Sequence, residues 1–198
     1  MKKAKLTKTE LKKLKDDLKR YERYLPTLQI KKQLLQMEIN LVRAEIRRLD
    51  DDRRRLEAEM DKWAALMGEE QGLADMFEVG KTVTRSDNIA GVDVPVFVEL
   101  PVRVKPYDLV SSPLWLDRAA VDLAQLMKLR AVKMVVQEQY RLLEVELRLT
   151  AQRVNLFDKV KIPQTIEQIR TITIYLADQQ AAAVGWARIA KKKIKEAA

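Results

Sequence analysis

The residues that could do chemistry are few and do not group into a reactive set. Gly80-Lys81-Thr82 has the last three letters of a phosphate-binding loop, where backbone amides and a lysine cradle a nucleotide, but the upstream glycine of such a loop is missing. Asp50, Asp51 and Asp52 offer carboxylates of the kind a hard cation takes. On a helix, however, consecutive side chains diverge, and Arg53, Arg54 and Arg55 follow at once, so a solvated, ion-paired face accounts for them. Lys2, Lys3, Lys5 and Lys8 at one end, and Arg188, Lys191, Lys192, Lys193 and Lys195 at the other, could neutralise phosphates or meet an acidic protein surface. No aromatic residues are interleaved with them as a single-strand nucleic-acid platform would require. The 198-residue chain has neither cysteine nor histidine, which removes thiolate chemistry and the commonest general base and metal ligand. No catalytic, metal-binding or cofactor-binding residue is assigned, and no cofactor is expected.

What remains is architecture. Leu11, Leu14, Leu18, Tyr21, Leu25, Leu28, Lys32, Leu35, Ile39, Val42, Ile46, Leu49, Arg53, Leu56, Met60, Trp63 and Met67 alternate by three and four residues. A seam of that period faces a partner helix only if the two wrap around each other, so the pattern predicts a long coiled-coil helix over residues 1–67. Thr7 and Glu10 form a capping-box pair at its start, and Gly68 stops it. Pro26 lies inside and is expected to kink the helix without shifting the seam. Lys32 and Arg53 read as polar breaks that penalise misaligned pairings.

A second helix is expected over residues 112–198, with Ser112 as its cap and Pro113 in its first position. Its seam is Leu126, Leu129, Lys133, Val136, Tyr140, Leu143, Leu147, Thr150, Val154 and Phe157. Beyond Pro163 a narrower face of Ile166, Ile169, Leu176, Ala183, Ala187 and Ala190 carries on. Two long matching seams in one chain predict an antiparallel hairpin; a parallel homodimer is the alternative. Residues 1–24 carry a net charge of +6 and residues 185–198 carry +4, out of +9 in all. An antiparallel pairing is expected to bring these basic ends together. Trp63 fits the first seam, Trp115 falls where the second helix meets the middle segment, and Trp186 has no assigned role.

The middle, residues 68–111, changes character. Val94, Val96, Val98, Leu100, Val102 and Val104 occupy every second position, the alternation of a half-buried strand, with Pro95 and Pro101 placing it at an edge or bending it. An earlier stretch, residues 81–85, is expected to pair with it through a turn drawn from Ser86, Asp87, Asn88 and Gly91. The fold class is therefore mainly α: a long antiparallel two-helix coiled-coil hairpin bearing a small β-hairpin module. No stretch is apolar enough to span a membrane, and the chain is expected to be cytoplasmic.

The stretch Asn88-Ile89-Ala90-Gly91-Val92-Asp93-Val94-Pro95-Val96-Phe97 resembles the NxAGVxxPxF segment of the D subunit of the V-type and archaeal-type rotary ATPases, with Asn88, Ala90, Gly91, Val92, Pro95 and Phe97 at the matching positions. Lys5-Leu6-Thr7-Lys8, the run from Arg23 to Lys32, and Ile189-Ala190-Lys191-Lys192-Lys193 resemble the ends of its bacterial members. The resemblance implies a central-stalk rotor shaft that carries torque between ATP hydrolysis or synthesis and proton or sodium transport. It also implies partners: the catalytic A and B subunits around the basic tip, the F subunit on the shaft, and a C-type (d-type) subunit coupling it to the membrane sector. Membrane association would then be indirect and nucleic acid would not be a partner. Two other readings of the residues stay open: a coiled-coil stalk or adaptor of another ATPase, such as one from a secretion system, and a basic arm that grips nucleic acid.

Overall fold

The computed structural model describes residues 5–64, 76–106 and 115–197. The expected stop at Gly68 and the expected cap at Ser112 and Pro113 lie outside the described residues, as do Lys2 and Lys3. The elements are helix α1 (Lys8–Ala64), strands β1 (Phe77–Val79), β2 (Val83–Ile89), β3 (Val92–Glu99) and β4 (Val102–Val104), helix α2 (Leu116–Leu156), a π-helical turn (Phe157–Lys161) and helix α3 (Ile162–Ala197). The protein is mainly helical, with small two-stranded sheets in the middle of the chain. It divides into two compact units, residues 1–32 with 149–198, and residues 33–148.

Helix α1 starts where its sequence provides a cap. The Thr7 hydroxyl accepts the Glu10 amide at 3.2 Å, while the Thr7 amide itself bonds to the Lys5 carbonyl at 2.9 Å. The helix then runs 57 residues through Pro26. Proline removes one backbone hydrogen bond, and the α-helix continues across it.

In the unit of residues 33–148, α1 and α2 pack antiparallel. Arg43 donates to the Tyr140 hydroxyl at 2.9 Å, Lys133 to Asp50 at 2.5 Å, and Arg118 lies 3.7 Å from Glu59, so position rises along one helix as it falls along the other. The core is Leu35, Ile39, Val42 and Leu49 of α1, Val136 and Leu143 of α2, and Val94 of β3. Side chains of three elements thus share one interior, which explains why the β segment folds where it does.

The β segment is a two-tier ribbon. β2 and β3 pair antiparallel from Ile89↔Val92 to Val83↔Glu99 with an irregularity at Val83/Thr84, and β1 pairs with β4 from Phe77↔Val104 to Val79↔Val102. The turn is Ala90–Gly91 alone, with φ of 53° and 77°. Two positive φ values in a two-residue connection match the right-handed twist of the strands it joins. Ser86, Asp87 and Asn88, expected as turn material, are instead strand residues. The pairing register decides this, because burying Val94 and half-burying Ile89 and Val92 against the helices fixes the hairpin end at Ala90. The alternating run also breaks at Leu100–Pro101, where proline cannot donate to the ladder; Gly80 donates to the Pro101 carbonyl at 2.8 Å.

In the unit formed by residues 1–32 and 149–198, Tyr21 stacks on Phe157 with ring centroids 5.3 Å apart. Leu14, Thr150, Val154, Thr165 and Ile172 are buried there. Beyond Leu176 the described residues of α3 are exposed, apart from half-buried Gly185.

Candidate functional site

The expected seam residues fall into two environments. Leu14, Leu35, Ile39, Val42, Leu49, Val136, Leu143 and Val154 are buried. Leu11, Leu18, Leu25, Leu28, Ile46, Leu126, Leu129 and Leu147 are half-buried, as the margin of a two-helix seam must be when only one partner covers it. Lys32 is the exception: it is exposed, and the adjacent Lys31 is half-buried in its place. Arg53 is half-buried and bonds within its own helix, to Glu57 at 2.7 Å and near Asp50 at 3.8 Å. Among the polar contacts across the two helices, the part-buried ion pair is Lys133 to Asp50, a pair that periodicity alone does not single out. That contact holds the Asp50 carboxyl below the ordinary carboxylate range, chiefly through the Lys133 hydrogen bond.

The residues after Pro163 pack differently from expectation. Ile166 is 48% exposed, and Ala183, Ala187 and Ala190 are exposed, while Thr165 and Ile172 are buried. Ile169 and Leu176 of the expected face are half-buried, so the inward face runs through Thr165, Ile169, Ile172 and Leu176 and leaves Ile166 outside it. Ile172 has a signal in the sequence, because it stands three residues after Ile169 and four before Leu176.

The turn motif owes its shape to local hydrogen bonds. The Asn88 side chain accepts the Gly91 amide at 3.0 Å and donates to Asp93 at 2.7 Å, bracketing the turn. Ala90 and Val92 pack on the helical core, and the Gln139 amide of α2 donates to the Pro95 carbonyl at 2.7 Å. Pro95 has no amide to offer in return, so a side chain reaching its carbonyl ties the ribbon to the helix. Phe97 is half-buried. Gln139 is invisible in the sequence, since its task depends on which strand lies against α2.

The tempting chemical residues do not converge. Gly80 uses its amide in the ribbon, and Lys81 and Thr82 are exposed beside it, so no phosphate cradle forms. Asp51 and Asp52 pair with Arg54 and Arg55 one turn on, at 3.3 and 3.9 Å. Among the described residues no three acidic, cysteine or histidine side chains come together as a metal site, and no helix is long and apolar enough to cross a membrane. An open groove of about 800 Å³ between β4 and the start of α2 is lined by Val104, Lys105, Pro106, Asp117, Val121 and Lys128 among others.

The basic candidates Lys5, Lys8, Arg188, Lys191, Lys192, Lys193 and Lys195 are all exposed. The last five share the end of α3 with uncovered apolar side chains: Val184 is 53%, Trp186 76%, Ile189 58% and Ile194 69% exposed. At about 100° per residue these four lie on different sides of the helix. The sequence expectation that a small-residue face would pack this end against the first helix is not met among the described residues. A lone helix with apolar groups all round is incomplete in water.

A family model described as the ATP synthase D subunit matches residues 10–192. The chain is 40% identical over 194 residues to the V-type ATP synthase D subunit of Borreliella burgdorferi, covering 98% of this chain and 96% of that one. It is 34% identical over 195 residues to the protein of the same name from Chlamydia caviae and 35% identical over 195 to that of Chlamydia felis, in each case covering 97% of this chain and 94% of the relative. Likeness on this scale runs through both long helices and the ribbon between them, and the chain belongs to the family of V-type ATP synthase D subunits.

Proposed function

We infer that this chain is the non-catalytic central-stalk shaft of a V-type rotary ATP synthase, carrying torque between ATP hydrolysis or synthesis and ion transport. The observation that carries the reading is the end of α3: helical, exposed beyond Leu176, basic at Lys191–Lys193 and Lys195, and apolar on several sides. A partner that docked on one face would leave the opposite apolar groups in water. A sleeve that surrounds the helix covers them all, and a ring of catalytic A and B subunits supplies such a sleeve. The basic side chains then meet acidic groups or backbone carbonyls of the sleeve.

The remainder of the chain supports that role by its chemistry. Torque passes along helices whose seams are packed with Leu, Ile and Val, and nucleotide chemistry is left to other subunits. The F subunit and a C-type (d-type) subunit are the proposed partners away from the tip, and the chain sits at the membrane only through the complex. Ion flow in one direction turns the shaft and forces nucleotide release; hydrolysis turns it the other way.

The test is co-expression with the A, B and F subunits of the same organism, followed by size-exclusion chromatography with mass detection. One copy per three-plus-three ring is expected. Removal of residues 185–198 should uncouple ion pumping from ATP turnover while nucleotide binding persists; normal coupled pumping by that variant refutes a torque role for the tip. Failure to join the ring, with salt-sensitive nucleic-acid binding instead, would favour the basic-arm reading.

A further inference from the structure

The inward-facing residues of the C-terminal helical run are spaced by three or four up to Phe157: Leu143, Leu147, Thr150, Val154 and Phe157. They are spaced by three or four again from Ile162 onward: Ile162, Thr165, Ile169, Ile172 and Leu176. Between Phe157 and Ile162 the step is five. The chain therefore carries one residue more than a continuous α-helical seam can use, and it is at this place that the helix becomes π, with the Ile162 amide bonding to the Phe157 carbonyl. None of the five residues of the turn is buried; the first of them, half-buried Phe157, is anchored by its stack on Tyr21, and Thr165 is buried one turn after the last.

Pro163 is not a sufficient cause. Pro26 sits in the interior of α1, and that helix continues as an α-helix around it. What differs at Pro163 is the phase of the seam. If residues 157–161 were α-helical with the same sequence, Gln164, Gln168, Thr171 and Tyr175 would turn toward α1 in place of Thr165, Ile169, Ile172 and Leu176. The π form exchanges that polar set for one with a fully buried Ile172. Thr165 also returns its hydroxyl to the Lys161 carbonyl at 2.7 Å, satisfying an acceptor at the exit of the turn.

We propose that Phe157–Lys161 is a phase-setting turn: it stores one surplus residue and thereby decides which face of α3 packs on α1, bringing Ile172 rather than Thr171 to the interior. The seam from Thr165 to Leu176 holds that phase.

The experiment uses the full chain. Deleting Lys159, an exposed residue of the turn, should convert it to α-helix with the seam intact and leave the melting temperature unchanged or higher. Deleting Arg170, exposed within the uninterrupted helix, should turn Ile172 and Leu176 away from α1 and lower it. A Lys159 deletion that unfolds the protein, or that lowers the melting temperature as much as the Arg170 deletion, overturns the surplus-residue argument.

Discussion

Leu34 and Leu35 are neighbours on one helix, and the structure assigns them opposite energetics. Leu35 is 0% exposed in the core formed with Leu143 and Val94, while Leu34 is 47% exposed. Truncating Leu35 to alanine removes about three buried carbon groups at roughly 0.8 kcal/mol each, about 2.4 kcal/mol of transfer free energy. The cavity left between two helices and a strand adds to it, for a total of about 3–4 kcal/mol. Truncating Leu34 removes the same atoms from a half-solvated surface and should cost less than about 1 kcal/mol. Alanine gains the same small helix propensity in both variants, so that effect cancels in the comparison. Urea unfolding followed by helical circular dichroism measures both, with the slope checked for constancy so that midpoints report stability. Equal losses, or a larger one for L34A, would refute the placement of the seam and with it the α1–α2 register.

The Asp50–Lys133 bridge gives a pH signature. Because the native Asp50 carboxyl is held below its ordinary value, its contribution is present above the unfolded carboxylate pKa of about 3.9 and is lost as pH falls through the lower native value. The stability difference between the protein and K133M should therefore be flat above about pH 5 and shrink in acid; a difference that grows in acid contradicts the bridge. At the hairpin turn, Gly91 has φ 77°, so G91A should cost about 1–2 kcal/mol in thermal unfolding, and no loss would argue against the Ala90–Gly91 turn. Removing the Gln139 side-chain donor as Q139L leaves the carbonyl of half-buried Pro95 unpaired and should cost about 1–3 kcal/mol; urea midpoints matching the parent's would count against that tie. Trp186 emission should shift to the blue when the chain joins a ring of A and B subunits, and the shift should vanish in W186F; an unchanged spectrum on assembly would mean that this residue stays in water.

How far each feature is legible in advance depends on how local its cause is. The three-and-four spacing of leucines from Leu11 to Leu56 needs only helix geometry to become a seam, and it does so at Leu35, Ile39, Val42 and Leu49. The cap at Thr7 is equally local. The alternation from Val94 to Val104 is legible as strand, but turn composition alone spreads the turn over Ser86, Asp87, Asn88 and Gly91, of which only Gly91 lies in it. Register depends on which residue of the ribbon reaches the helices, and that is a long-range fact.

Periodicity and composition suffice for the class of the protein: two long apolar seams, a valine-rich segment between them, basic ends, and no side chains for thiol or histidine chemistry. Both act within a few residues along the chain, so no folded neighbour is needed to read them. Packing between distant segments settles the rest: the ribbon's Val94 completes the helical core, Asp50 and Lys133 meet across the helices, and Gln139 holds Pro95. It likewise settles that the surplus residue after Phe157 is absorbed as a π turn and that the end of α3 is left uncovered. Each of these depends on the axial offset and rotation of one helix against another. A seam of nearly equivalent leucines defines that offset only weakly until polar pairs, an aromatic stack and a packed strand select one alignment.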